Sequence, residues 1–140
     1  MQVERKLDVR LWILDIRWVK LKMSGFKELK VYQKSYKAAR AVYLMTENNA
    51  KEEKYGITGQ IRRASLSIPL NIAEGYAKKE SQNEFKRYLL IAIGSVNEVL
   101  VLIDFSKDIG YLSEEKHQKA YKEYEEIAKM LNSFIKTLNL

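Results

Sequence analysis

From Phe26 onward, apolar residues recur at spacings of three and four, and the breaks between the runs carry helix-terminus chemistry, so the sequence predicts four helices. The first runs from Glu28 to about Glu47 and stops at Asn48 and Asn49. The second starts near Thr58, a candidate N-cap after the Tyr55-Gly56 break, and ends at Glu74 or Tyr76 with Gly75 as the stop. Ser81-Gln82-Asn83-Glu84 reads as a capping box, in which hydroxyl and carboxylate each satisfy an orphan amide, and it opens a third helix reaching about Ile109. Gly110 supplies the next stop, and Ser113 followed by Glu114 and Glu115 supplies an N-cap with acid at the positive helix end. The fourth helix continues almost to Leu140. Short links between successive helices predict an all-α, antiparallel up-down-up-down four-helix bundle over residues 23–140.

The faces of these helices are not alike. On the fourth, Tyr121, Tyr124, Ala128, Leu131, Phe134 or Ile135, and Leu138 share one stripe while Lys and Glu cover much of the rest. On the third, Phe85, Tyr88, Leu89, Ala92, Val96, Val99 and Ile103 form one stripe, and Leu90, Gly94, Val101 and Phe105 lie opposite. A second apolar face needs a second partner, so an oligomer is expected, or cover from the N-terminal segment. Ala92, Gly94 and Ser95 are small enough to let a neighbouring backbone approach.

The second helix carries the apolar stripe Ile57, Ile61, Ala64 or Ser65, Ile68 and Ile72. Beside it, at the same spacings, runs a polar row of Gln60, Arg63, Ser67, Asn71 and Glu74. Leu66 and Leu70 flank the row, which predicts that it is at least partly covered, and a covered polar group left unpaired costs about 1–3 kcal/mol. Pro69 lacks the amide that would bond the Ser65 carbonyl, so a kink and a local network through Ser67 and Asn71 are expected. Arg63 and Glu74 would be its charged ends, meeting across a subunit boundary. Two readings fit the row: a device that sets register and subunit packing, or a ligand or nucleic-acid site at the kink.

Residues 1–22 resist assignment. Leu7, Leu11, Leu14, Trp18 and Leu21 suit an amphipathic helix, while Leu7, Val9, Leu11 and Ile13 alternate as in a strand. MSGFKELKVYQKSYK from Met23 also reads as a natural start, which would make the preceding segment upstream sequence. Its charges leave no long apolar run, so neither a membrane span nor a signal peptide fits, and no membrane partner is expected. The formal charge is +7, of which residues 1–22 carry +3, leaving +4 from Met23 onward. No cysteine occurs, which excludes disulfides, thiolate metal sites and cysteine nucleophiles, and suits a cytoplasmic location.

Positive charge is concentrated in two places. Lys27, Lys30, Lys34 and Lys37, continued by Arg40, make a row along the first helix, and Lys78, Lys79, Lys86 and Arg87 surround the turn between the second and third helices. Such rows can neutralise phosphates, although a solvated helix face has the same composition. Tyr32 and Tyr36 have the spacing of core residues rather than of a base-stacking platform. No sequence-reading motif accompanies the lysines, so nucleic acid would be held through phosphate and shape.

Enzyme signatures are missing. Glu114-Glu115-Lys116-His117 holds a Glu-x-x-His pair, but His117 is the only histidine and a di-iron site needs two such pairs, so a surface histidine in a first turn is expected. Glu74 with Glu98 is an unsupported carboxylate pair, and no nucleophile elbow, phosphate loop or dinucleotide fingerprint is present. No metal or cofactor is expected.

The run from Tyr55 to Val99, YGITGQIRRASLSIPLNIAEGYAKKESQNEFKRYLLIAIGSVNEV, together with FKELKVYQKSYKAA from Phe26 and the GYL turn at Gly110, resembles the four-helix-bundle proteins encoded within bacterial 23S rRNA intervening sequences. The resemblance covers nearly everything from Phe26 to the end. It implies an antiparallel bundle assembled into a ring-like homopentamer without established enzyme activity. It also implies a related fold in the accessory protein of diversity-generating retroelements, a basic pentamer that works with RNA and a reverse transcriptase. By position the family's signature residues are Gln60, Arg63, Ser67, Pro69, Asn71, Glu74, Gly75, Ser95 and Glu98. The resulting expectation is a non-enzymatic oligomeric bundle that binds structured RNA or other nucleic acid through its basic patches. The alternative is a structural or protein-binding scaffold.

Overall fold

Leu29 divides the first predicted helix in two. Its extended backbone (φ −66°, ψ 122°) separates the short α1 (Gly25–Glu28) from α2 (Lys30–Met45), and its carbonyl accepts the first bond of α2 from the Gln33 amide at 3.0 Å. In this computed structural model residues 25–49, 51 and 56–138 are described, and every regular element among them is helical. The readings of residues 1–22 and of Tyr55 lie outside them. The remaining helices are α3 (Ile57–Ala77), α4 (Gln82–Asp108) and α5 (Glu114–Thr137).

The ends of the helices follow local chemistry. Ser81 Oγ accepts the Glu84 amide at 3.3 Å, but the Glu84 carboxylate turns to Arg87 at 3.2 Å and the Ser81 amide donates to the Lys78 carbonyl, so only half of the capping box forms. Gly110 sits at φ +82°, its amide donating to Lys107 and that of Tyr111 to Ser106 at 2.8 Å, the paired bonds that close a helix on a left-handed glycine. Ser113 caps α5 by accepting the Lys116 amide at 3.2 Å.

Two expected ends move. Gly56, not Thr58, precedes α3, and Thr58 is buried in the first turn, where its hydroxyl accepts from Asn49 Nδ2 at 2.8 Å. Gly75 does not stop α3. It lies buried inside the helix, where an added Cβ would come within 2.8 Å of Tyr88 Cβ, so it is a close-approach residue between α3 and α4. Arg62 ties the start of α3 to the end of α2, donating from Nε to Thr46 Oγ1 at 2.9 Å and lying 4.6 Å over the Tyr43 ring.

α3 packs on α4, α4 on α5, α5 on α2 and α2 on α3, so each long helix touches two neighbours, and α1 rests on both α2 and α3. The core is the apolar stripe of each: Val31 and Val42, then Ile61, Ile68 and Ile72, then Leu89, Val96, Val99 and Ile103, then Ile127 and Leu131. Each fully buried aliphatic side chain among them contributes about 1.5–3 kcal/mol. Lys34 crosses from α2 to Glu123 and Glu126 of α5 at 3.1 and 3.2 Å. Partial desolvation works against its charge, but the hydrogen bonds and charges of the two carboxylates outweigh it and raise its pKa.

Tyr124 is buried with no hydrogen-bond partner for its hydroxyl among the described residues, and desolvation, helped by the Glu123 charge, pushes its pKa well above the ordinary value. The folded chain therefore keeps this proton at pH values where the unfolded chain, at about 10, releases it, so stability falls as pH rises past that point. Tyr124→Phe should match or exceed the parent in urea at pH 7 and lose less stability than the parent in buffer above pH 10. An equal alkaline loss in both would show that other groups control it.

Candidate functional site

Of the polar row on α3, the fold joins three members. Asn71 Nδ2 donates to the Ser67 carbonyl at 2.7 Å and to Ser67 Oγ at 2.9 Å, and Ser95 Oγ of α4 donates to Ser67 Oγ at 2.9 Å. This network brackets the buried Pro69 and spans both helices, although its bonds reach the Ser67 carbonyl rather than that of Ser65. Gln60, Arg63 and Glu74 are exposed at the two ends of the row, as is Glu98 on α4, so the row is covered only at its centre.

Around the network lies an apolar surface with no neighbour among the described residues. Leu70 is 59% exposed and Leu66 only half-buried, so the flanking leucines do not lie on a covered side of the helix. Across α4, Leu90, Ile91, Val101 and Phe105 are exposed, Val101 to 66%. Among the described residues nothing stands within 4 Å of a Cβ placed on Gly94, whereas Ala92 belongs to the core and takes no part in this face. With one apolar face in the core and another outside it, α4 is long and apolar enough to cross a membrane by length and composition alone, with 44% of its most apolar stretch buried in the fold.

The basic residues fall into a different arrangement from the two rows. Lys27, Lys30, Lys37 and Arg40 are exposed, but Lys34 is withdrawn by its ion pairs to α5 and leaves a gap in the first row. At the α3 to α4 turn, Lys78 donates to the Tyr88 hydroxyl at 3.0 Å, which raises its pKa, and the Arg87 guanidinium lies 4.6 Å from the same ring. Lys79 lies 4.0 Å over Tyr76, and Lys86 is half-buried beside them. Tyr76 also meets the start of α1, since a Cβ on Gly25 would overlap its hydroxyl. The packing of α1 on α3 thus brings Lys27 to the same end of the molecule as Lys78, Lys79 and Arg87.

The sequence read Tyr76 only as a helix end and Tyr88 only as part of a core stripe; the signal for their place among the cations was adjacency to basic residues in Tyr76-Ala77-Lys78-Lys79 and Lys86-Arg87-Tyr88. Tyr36 was misplaced. It is 49% exposed, and with Tyr32, Lys27, Gln33 and Lys37 it lines a cleft of about 310 Å³. His117 is not a plain surface histidine either: Nε2 lies 2.7 Å from Asp104 Oδ1 of α4, and the ring packs 5.5 Å from Tyr121. No group of three metal-ligating side chains occurs among the described residues.

These features define an all-helical protein whose surface is divided between an uncovered apolar face around a polar network and a basic end studded with tyrosines. Residues 27–133 match the profile of the 23S rRNA-intervening sequence proteins, and the chain belongs to that family. The fold is similar to the 1.70 Å crystal structure of a protein of unknown function from the S23 ribosomal protein family of Bacteroides thetaiotaomicron. That comparison has a TM-score of 0.68 and 28% identity, and it covers 76% of this chain and 99% of the other. No curated protein matches the chain.

Proposed function

We propose that the protein is a non-enzymatic, cytoplasmic oligomer of antiparallel four-helix bundles that binds RNA at its basic end. The observation that carries the reading is the convergence of Lys27 with Lys78, Lys79 and Arg87, two segments some fifty residues apart in sequence, around Tyr76 and Tyr88. Lysine and arginine held over tyrosine rings keep their charged heads at the surface in fixed positions, which is what contact with successive phosphates requires. The family's link to 23S rRNA supports RNA as the polyanion. The apolar face of α3 and α4 would join subunits, and a closed ring would repeat the basic end around its rim, with each copy adding phosphate contacts.

A labelled structured RNA and a matched DNA duplex titrated across a salt series test this reading. The parent should bind the RNA with a steep negative dependence of log affinity on log salt. Lys79→Glu with Arg87→Glu should weaken binding at least 10-fold and reduce the magnitude of the slope by about 1.5, as expected for two lost phosphate contacts at roughly 0.7–0.9 each. Absence of salt-sensitive binding by the folded protein would sink RNA recognition and leave the apolar face as the basis of a scaffold.

A further inference from the structure

We infer that the cleft between Lys27 and Lys37 receives one unpaired nucleotide, its base against Tyr36 and its flanking phosphates on the two lysines. The inference rests on the RNA-binding reading and sharpens it: the RNA recognised would be single-stranded or looped at the contact point.

A helix continuous through Lys27 would have set these lysines along one flat edge. The break at Leu29 instead turns α1 against α2, and Gln33 Nε2 holds that turn by donating to the Lys27 carbonyl at 2.8 Å. Phe26 meets Tyr32 edge-on, with centroids 5.1 Å apart, which seats Tyr32 as the inner wall. Tyr36, one helical turn further on, has its ring 6.1 Å from that of Tyr32 and tilted by 31°. The recess is therefore lined by two tyrosines and two lysines, and its volume of about 310 Å³ is at the small end of the range for small-molecule sites, about 300–1,000 Å³.

The chemistry selects the ligand. A solvated lysine face has no use for a tyrosine that is half exposed, and duplex nucleic acid keeps its base faces stacked and out of reach of a recess this narrow. A splayed base offers a flat π-face to Tyr36, with a phosphate on each side for the cleft's two lysines. Stacking of this kind is sequence-tolerant, so the cleft would distinguish unpaired from paired RNA rather than one base from another.

The test compares a single-stranded RNA oligonucleotide with the same strand annealed to its complement, using the full chain, Tyr36→Ala, Tyr36→Phe and the Lys79→Glu, Arg87→Glu variant. Because Tyr36 is exposed, the helical circular dichroism of Tyr36→Ala should be unchanged. Tyr36→Ala should lose roughly 5- to 150-fold in affinity for the single strand, the cost of one stacked base. Its duplex affinity and salt slope should stay at parental values, and Tyr36→Phe should bind like the parent. If Tyr36→Ala binds the single strand as tightly as the parent while the charge-reversed variant does not, the cleft assignment is overturned and the basic end remains an RNA site. If the folded parent binds neither strand form at low salt, RNA recognition falls and takes the cleft with it.

Discussion

Val101→Asp combined with Phe105→Asp is expected to convert the assembled protein into folded single chains of 16.4 kDa, read as mass by light scattering with the helical circular dichroism retained. Both side chains point away from the core: Val101 is 66% and Phe105 51% exposed, so the substitutions remove nothing the single chain needs. In an assembly the same residues would be desolvated, and a carboxylate placed there would have to leave water without a partner, at a cost of several kcal/mol per charge. Gly94 supplies a gentler version of the test. A Cβ there meets nothing within 4 Å among the described residues, and leucine has better helix propensity than glycine by roughly 0.7 kcal/mol, so Gly94→Leu should stabilise an isolated chain. Dissociation caused by Gly94→Leu would therefore mark a close contact between subunits. A parent that already runs at 16.4 kDa at micromolar concentration would sink the oligomer, and the apolar face would need another explanation.

Gly75→Leu is expected to destabilise the fold strongly, and far more than Gly94→Leu. The backbone at Gly75 is ordinary helix, so no dihedral strain is involved; the obstacle is α4, with Tyr88 Cβ 2.8 Å, Phe85 Cδ1 3.1 Å and the Phe85 carbonyl oxygen 3.4 Å from the position of a Cβ. Neither a Cβ nor a backbone oxygen can be rotated away, so α3 and α4, the most extensively packed pair, would have to separate. Overpacking of a core by a methyl or two costs about 1–3 kcal/mol, and alanine recovers about 1 kcal/mol of that through helix propensity. Gly75→Ala should accordingly lose up to about 2 kcal/mol, and Gly75→Leu more than 3 kcal/mol, in urea unfolding of the same oligomeric state. A stabilised Gly75→Ala would mean that the two helices do not approach as closely as described.

Gly75 also shows where reading a sequence misleads. A glycine near the end of an amphipathic run has the same local signature whether it terminates the helix or admits a neighbour, and the neighbour here is ten to thirteen residues further on, across a turn. Gly110, by contrast, was read correctly because its role is settled by bonds to Lys107 and Ser106 within the same turn of chain. Ser81 and Ser113 were legible for the same reason. The glutamate half of the Ser81 box was not, because Arg87 competes for the Glu84 carboxylate.

The candidate site was legible as composition and opaque as arrangement. Ser67, Asn71 and Ser95 come together as a network, and the second apolar face of α4 is present as its periodicity requires. The lysine row of the first helix misled, since helical spacing says which residues share an edge but not that Glu123 and Glu126 would claim Lys34. Tyr32 and Tyr36 had core spacing, yet only the turn of α1 at Leu29 decides that Tyr36 borders a cleft.

Residue order alone therefore sufficed for what is enforced within a few residues: the helical class, most helix ends, the core stripe of each helix and the excess apolar face on α4. Capping bonds and the 3.6-residue period act over one or two turns, so the local string contains them in full. Tertiary packing decided which lysines stay free, that Gly75 is a contact, that α1 folds against α3, and that Lys27 shares one end of the molecule with Lys78 and Arg87. Those outcomes depend on side chains from about ten to about ninety residues apart meeting or competing for the same partners, which is resolved only when the helices are laid against one another.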